Sequence, residues 1–450
     1  MNKEILRLAI PNILSNISVP LLSSFDTVLM GNLGGVHIAA VGLGAMAFNF
    51  VYWNFGFLRM STTGLTAQAF GADDAAGQRT TLRRAAGLAL LIAAALLVLQ
   101  VPLARLTHFL LNLQPDQIGL VDEYFFLRVW AAPATLLQMV LFGWFFGRQN
   151  ATFPLLLTVM VNVVNMAISY YLVRELGWAI RGVAWGTVVA QYVGLLAAGG
   201  LYLLEARRAR RLSPSPGLSR PSTGRRNAPH TRTAPAPQLL DFLRINRDIF
   251  LRTLCLTLSF AFFYNRANAL DVPTAVIAAN VILLQLVNWL SYGVDGFAFA
   301  AESLVGKYAG ARQPERLRRA VRLLFYWGMG FSAGYALLYY FGDVALLRLF
   351  APETQAGATL AAALTYLPVV VLFCLLATPC YLFDGIYVGL TAAGAMRQTM
   401  LLAFVGYLLI YWLVGRHYGN WGLWGSLLAF MVLRALLQYW WLRTGRVRLG

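Results

Sequence analysis

Asp26 has the clearest chemical potential in this chain. It lies in a long apolar stretch that starts at Ile5, six positions after Pro20. A carboxylate in such surroundings is costly, and by default it marks an ion path, a ligand site or a pairing partner. Proline removes a backbone hydrogen bond and kinks a helix, so Pro20 is a candidate hinge within reach of a charge change at Asp26. A static kink beside a paired acid accounts for the same two residues equally well. Further along, Asn162, Asn165 and Ser169 stand at i, i+3 and i+7, which puts them on one helical face, and Thr187 adds a hydroxyl from the next apolar run. Buried amides and hydroxyls hold helices together. Beside a lone carboxylate they can also hold its proton or a cation.

The second half presents Arg266, Asp295, Glu302 and Asp384 within apolar runs. One arginine cannot neutralise three acids. Arg59 and Arg434, from other runs, are further candidate partners, and Asp295 and Glu302 share a helical face at a spacing of seven. Structural pairing accounts for at least one of these acids. Any that is left unpaired becomes a candidate for proton exchange or for contact with substrate.

The elements that must carry these residues follow from composition. The chain has 450 residues, 59% hydrophobic and only 12% charged, with a mean hydropathy of +0.63; a soluble domain carries roughly a quarter charged residues. Uncharged runs recur at 85–104, 149–173, 182–204, 272–294, 323–342 and 354–383. Each reaches the roughly 18 to 20 residues needed to cross about 30 Å of hydrocarbon. So many runs in series cannot all be hidden inside one soluble core, so the chain reads as a polytopic membrane protein.

The net charge of +18 invites a nucleic-acid reading, but the location of the charge argues otherwise. Most of the 36 Lys and Arg fall in alternate connections, including Arg79, Arg83 and Arg84, a run of arginines from Arg207 to Arg252, Lys307 to Arg322, and Arg443 to Arg448. That asymmetry is the positive-inside pattern. It predicts that these connections and both termini face the cytoplasm of a bacterial inner membrane.

Cys255, Cys374 and Cys380 all lie within apolar runs and have no disulfide or metal spacing, and His37, His108, His230 and His417 are scattered. No metal or organic cofactor is expected. No nucleotide-binding Gly-x-x-x-x-Gly-Lys-[Ser/Thr] motif, nucleophile motif or His/Asp cluster stands out, so the chain does not read as an enzyme. The first apolar stretch is interrupted by Pro11 and Pro20 and runs on as a span rather than as a cleavable signal.

Breaks between the runs give twelve expected helices, starting near Ile5, Val36, Arg84, Tyr124, Phe153, Gly182, Phe242, Val272, Val321, Ala358, Met396 and Tyr418. The two halves repeat. Gly71-Ala72 followed by Leu82-Arg83-Arg84-Ala85 answers Gly310-Ala311 followed by Leu317-Arg318-Arg319-Ala320. Gly143-x-x-x-Gly147 after Pro133 answers Gly385-x-x-x-Gly389 after Pro379. Several matches in one order predict a duplicated bundle, with parallel repeats related by an axis along the membrane normal. The expected organisation is a six-helix lobe at 1–205, a basic, Pro-rich cytoplasmic linker at 206–240 and a second six-helix lobe at 241–450.

The stretch from Leu58 to Ala72 (LRMSTTGLTAQAFGA), Asn16-Ile-Ser-Val-Pro20 ahead of Asp26, Asn246-Arg-Asp-Ile249, Asp295-Gly-Phe-Ala with Glu302, and Tyr381-Leu-Phe-Asp384-Gly closely resemble the DinF branch of the MATE (multidrug and toxic compound extrusion) family. The resemblance implies an all-α polytopic fold of twelve transmembrane helices in two pseudo-two-fold-related bundles. It also implies export of amphipathic organic cations, as small-molecule substrates, against entry of H⁺ or Na⁺. By the same resemblance Asp26 matches the family's coupling aspartate, Pro20 its bending proline and Asp384 an acidic position on the tenth helix. One departure bears on the ion. The family commonly places an Asp four residues after its second helix-five Asn, where this chain has Ser169. A sodium ion favours several hard oxygens and carboxylate charge, so the departure favours H⁺. The alternative function is a flippase for lipid-linked precursors in the same broader superfamily, with Arg59 and Arg266 as cationic walls. A monomer is expected.

Overall fold

The computed structural model describes residues 1–31, 35–111, 115–212, 238–348 and 356–448. For part of the first two helices, 19–24, 26–28, 30–31 and 35–40, and for a few positions elsewhere, only the backbone is described. The described residues are almost wholly helical, with no strand.

Twelve long membrane-crossing paths run in sequence. The first is α1 (Asn2–Gly31). The second is broken at Gly56 into α2 (Gly35–Phe55) and α3 (Phe57–Gly71), and is followed by α4 (Ala75–Val98) with the short α5 (Gln100–Leu111). The fourth joins α6 (Pro115–Arg128) to α7 (Ala132–Gly147) through a single 3-10 turn, and α8 (Thr152–Arg174) and α9 (Ala179–Leu212) complete the first half. The second half comprises α10 (Leu239–Ala269), α11 (Thr274–Gly310), α12 (Pro314–Phe341), the short α13 (Asp343–Arg348), α14 (Ala356–Gly389), α15 (Ala393–Leu413) and α16 (Gly419–Arg443). Among the described residues nine paths are long and apolar enough to cross a membrane; α1, α10 and α12 are the others, and each opens on charged residues.

The outside of the bundle confirms the solvent that composition demands. Val98, Leu196 and Phe341 are 79%, 76% and 78% exposed on outward faces. Apolar exposure on this scale suits lipid and would aggregate in water. Inside, aromatic rings close the core of the second half, with Phe263 against Trp424 at 4.9 Å and Tyr407 against Phe430 at 5.4 Å between ring centres. The three cysteines are unpaired and buried.

Several helices begin inside the basic connections, as α4 does at Ala75 and α12 at Pro314, ahead of the expected Arg84 and Val321. Backbone hydrogen bonding continues there because long basic side chains reach water from a helical stem. The stretch expected as a linker, 206–240, is helical to Leu212 and again from Leu239; 213–237 lie outside the described residues.

The internal repeat is built into backbone geometry. Helices α3, α7, α11 and α14 all end in the same turn, with a non-glycine residue in the left-handed region two positions after a glycine: Asp73, Gln149, Arg312 and Thr391. In each, the next N–H reaches back five residues: Asp74 to Ala69, Asn150 to Phe145, Gln313 to Tyr308 and Ala392 to Tyr387, at 2.8 to 3.0 Å. This is the Schellman pattern that satisfies the last carbonyls of a helix. The matched glycines also do matched work. A Cβ on Gly143 would come within 2.5 Å of the Arg59 carbonyl of α3, and one on Gly385 would overlap the Ala298 carbonyl of α11. So α7 lies against α3 as α14 lies against α11.

The two halves meet along one end. A Cβ on Gly71 would overlap the carbonyl of Lys307, and one on Gly310 would overlap that of Gln68, so this seam is backbone against backbone. Gln68 donates to the Gly389 carbonyl at 2.9 Å, Gln149 to that of Ser303 at 2.8 Å, and Ser61 to Asn246 at 2.7 Å. Glu4 accepts from Lys307 and Tyr308 at 3.3 and 3.1 Å. These hydrogen bonds between the halves lie towards this end, while those of Asn16 with the Tyr292 carbonyl and of Thr257 with Asn54 reach the middle of their helices.

Candidate functional site

In the first half the polar stripe on α8 is brought together with α9 and α1. Asn165 donates through Nδ2 to the Thr187 hydroxyl at 3.0 Å, and Thr187 in turn donates to the Val183 carbonyl at 3.1 Å. Asn162 donates to Ser18 of α1, to the hydroxyl at 3.2 Å and the carbonyl at 3.3 Å. Ser169 is packed against Gly186, where a Cβ would overlap its hydroxyl oxygen, so α8 and α9 are in close contact at this level. The four side chains are all buried. Two of their atoms, Asn165 Oδ1 and Ser169 Oγ, have no hydrogen-bond partner among the described residues. A buried polar atom without a partner costs about 1 to 3 kcal/mol, so this pair is set to receive a group. The side chains of Asp26 and Pro20 lie outside the described residues. The backbone of α1 runs helically through both. Ser15 meets Thr158 and Ser18 meets Asn162, and continuing that register brings the backbone at 26 level with Ser169 and Tyr170.

The second-half candidates divide into committed and uncommitted groups. Asp384 is fully engaged: Arg252 and Arg434 both reach its Oδ2, the latter at 2.6 Å, and Gln438 donates to Oδ1 at 2.7 Å. Asp384, Arg252 and Arg434 are all buried, at 4%, 7% and 1% exposure. Two guanidiniums on one carboxylate leave this cluster with one surplus positive charge. Arg252 is the residue that sequence reasoning misplaced. It ends the run of arginines that the charge pattern assigns to a cytoplasmic connection, yet it is buried against Asp384 of α14. Its signal was its place on the buried stripe of Phe242, Ile249 and Leu256.

Glu302 is likewise committed. Arg59 of α3 grips it with two bonds, at 2.9 and 3.2 Å, and this bidentate pair links the two halves. The Arg59 guanidinium also lies 3.9 Å from the centre of the Phe299 ring. Arg266 is not brought to this cluster. It stands in the last turn of α10, partly exposed, against Asn265, Phe262 and Trp412. The lipid-precursor alternative needs Arg59 and Arg266 as free cationic walls, and the structure gives Arg59 to Glu302 and places Arg266 apart. Asp295 alone among the candidate acids of the second half makes no hydrogen bond or ion pair with a described residue. Among the described residues no three His, Cys, Asp or Glu side chains converge as metal ligands.

Comparison with known proteins agrees with this architecture. The MatE family model matches residues 11–171 and again 249–415, one match in each half. DNA damage-inducible protein F of Escherichia coli is 34% identical over 446 residues, covering 97% of this chain and 90% of that protein. A probable multidrug resistance protein NorM of Bradyrhizobium diazoefficiens is 27% identical over 414 residues, covering 90% of this chain and 84% of its own length. Among solved structures, a MOP superfamily transporter from Pyrococcus furiosus superposes with a TM-score of 0.83 at 19% identity, over 99% of this chain and 95% of that one. Its fold of twelve helices in two bundles is the fold seen here. With two copies of the family model in one chain and a relative above 30% identity along nearly its whole length, this protein belongs to the MatE family of membrane transporters.

Proposed function

We propose that this chain is a secondary antiporter that exports amphipathic organic cations in exchange for protons, with Asp26 as the coupling acid and Pro20 as the hinge of α1. The observation that carries the proton assignment is the chemistry of the first-half pocket. It offers two polar atoms, Asn165 Oδ1 and Ser169 Oγ, without partners among the described residues, beside amide and hydroxyl groups that carry no charge. A protonated carboxyl is a donor that such acceptors satisfy. A sodium ion would ask for several oxygens and more carboxylate charge than Asp26 alone supplies. Protonation removes the charge that burial opposes, and α1 can then repack about Pro20.

The basic end of the bundle is assigned to the cytoplasm of the inner membrane, with both termini there, on the positive-inside rule. The seam at Gly71 and Gly310 then lies on the cytoplasmic side. The six-helix lobes at 1–205 and 241–450 move against each other as units, joined by the segment 206–240, and the transporter works as a monomer without an organic cofactor. The NorM relative, named a probable multidrug resistance protein, supports drug-like compounds as the cargo.

Reconstituted into proteoliposomes in sodium-free buffer, the wild-type chain should move an organic cation when a pH gradient is imposed. Asp26→Asn should insert normally and lose that transport. Normal export by Asp26→Asn, or an absolute need for Na⁺ at every pH, rules the mechanism out.

A further inference from the structure

We infer that a cleft between α6 and α9 binds the headgroup of a zwitterionic aminophospholipid. The cleft lies at the end of the first half opposite the Gly71 and Gly310 seam, which on the positive-inside reading meets the outer leaflet. It holds about 440 Å³, walled by Glu123 of α6, by Trp178 in the turn before α9, and by Arg181 and Trp185 of α9. This site goes beyond the efflux reading, because it stands on the outer surface of the bundle. Arg181, Trp185, Val189, Tyr192 and Leu196 recur on one face of α9 and all are exposed, whereas Val183, Ala184 and Ala190 turn inward and are buried. From Trp185 to Leu196 that exposed track runs about 16 Å. This is about half the thickness of the hydrocarbon, the depth that one leaflet's acyl chains occupy.

The chemistry of the cleft selects the headgroup. Arg181 and Glu123 bond to each other across it, and their side chains are 67% and 29% exposed, so both charges can be reached. The pair has no net charge. A simple cation or anion is drawn by one member and opposed by the other. A molecule that carries both signs a few bonds apart meets both. Phosphate oxygens suit the fork of the Arg181 guanidinium, and a primary ammonium can donate to the Glu123 carboxylate, which makes a ring of four alternating charges. Trp178 and Trp185, 45% and 40% exposed, stand at the rim. Indoles favour this depth, where the ring meets acyl chains and the N–H meets the polar layer.

The internal repeat shows that the fold does not require this cleft. In the second half α16 answers α9, and α14 answers α6 with α7. The third residue of α9 is Arg181, and the third of α16 is Trp421, which packs against Tyr366 of α14 at 5.0 Å between ring centres. Aromatic rings occupy the matching place there, while the first half keeps an open cleft with a charge pair.

The full-length chain, purified in detergent, is offered an equimolar mixture of phosphatidylethanolamine, phosphatidylcholine and phosphatidylglycerol with the same acyl chains. Native mass spectrometry counts the lipid retained. The wild type should keep phosphatidylethanolamine about fivefold or more over the other two, as the loss of one charged hydrogen bond implies. Phosphatidylcholine has no N–H for Glu123, and phosphatidylglycerol has no cation. Glu123→Gln leaves Arg181 unopposed and should turn the preference to phosphatidylglycerol, a reversal that unfolding cannot produce. Arg181→Gln should lose the preference, and Glu123→Asp and Arg181→Lys should keep it. Equal retention of the three lipids by the wild type, or an unchanged preference in Glu123→Gln, overturns the proposal. Displacement of the lipid by soluble phosphoethanolamine at equal concentration would make the ligand a free phosphate ester and overturns it too. Because no transport is measured, failure of the coupling assignment at Asp26 leaves this result standing.

Discussion

The two halves share a scaffold and differ in what they bury on it. The first half gathers amides and hydroxyls, Asn162, Asn165, Ser169 and Thr187, and leaves two of their atoms without partners among the described residues. The second gathers Arg252, Asp384, Arg434 and Gln438 into a cluster whose carboxylate accepts on both oxygens, with Arg252 Nε, Arg434 Nε and Gln438 Oε1 left without partners among the described residues. A pocket of uncharged amides and hydroxyls can hydrogen-bond a neutral carboxyl with little rearrangement. A carboxylate held by two guanidiniums is already neutralised by its own chain, and an incoming ion would have to displace an arginine. On the proposed coupling at Asp26 the first would be the site that responds to a proton, while the second fixes helices α10, α14 and α16 in place.

Deleting one polar group from each half puts this contrast at risk most directly. Asp384→Asn leaves two buried guanidiniums without their anion, and breaking such a pair costs about 3 to 5 kcal/mol. Asn165→Ala removes one neutral hydrogen bond to Thr187, which costs about 1 kcal/mol. Unfolding of the two variants in one detergent should therefore show a large loss for the first and a small one for the second. Equal losses would erase the distinction.

The seam joining the halves gives an intermediate effect. At Gly310 a valine has no room beside the Gln68 carbonyl, and overpacking of this kind costs about 1 to 3 kcal/mol. The cost falls on the closed arrangement alone, so Gly310→Val should shift the population about tenfold or more towards separated ends. Spin labels at Asp73 and Arg312, in the two matched turns, should report a longer distance; an unchanged distribution would mean the glycine is not what permits closure.

The smallest effect belongs to Glu4, at the water-facing edge of the same seam. Burial opposes its ionisation, but the Lys307 ammonium, the Tyr308 hydroxyl and the chain's own amino terminus outweigh burial and hold the acid below its usual value of 4.5. A depressed carboxyl stabilises the fold fully above its unfolded value and loses that contribution as the pH falls through the folded one. Stability should thus decline slightly below pH 4.5 in the wild type, and Glu4→Gln should lack that part of the decline. The half-exposed position of Glu4 keeps the effect within a few tenths of a kcal/mol.

Much of this was legible in the residues. Hydropathy and basic connections marked the twelve paths, and paired glycines marked the duplication, because burial in lipid and close helix contact leave periodic traces. The stripe on α8 was readable for the same reason. The partners of charges were not. Arg252 stands after a run of true surface arginines, and only its place on the buried stripe of α10 separates it from Arg244 and Arg247. Arg266, in an apolar run, appeared to belong with the acids, yet it sits two helical ends away from them in the last turn of α10. Which cation meets which acid depends on how six helices pack, and no local spacing carries that. The commitment of Asp384 and the isolation of Asp295 therefore became visible only in three dimensions.

The contact of Gly71 with Lys307 and of Gly310 with Gln68 has a meaning for assembly. Each half offers the other the same patch, as two copies do across a two-fold interface, so the seam is an isologous interface enclosed within one polypeptide. Such a surface does not depend on covalent connection for its specificity. The chain between the halves raises their effective concentration for one another, and two separately translated halves would carry every backbone contact needed to find that interface again.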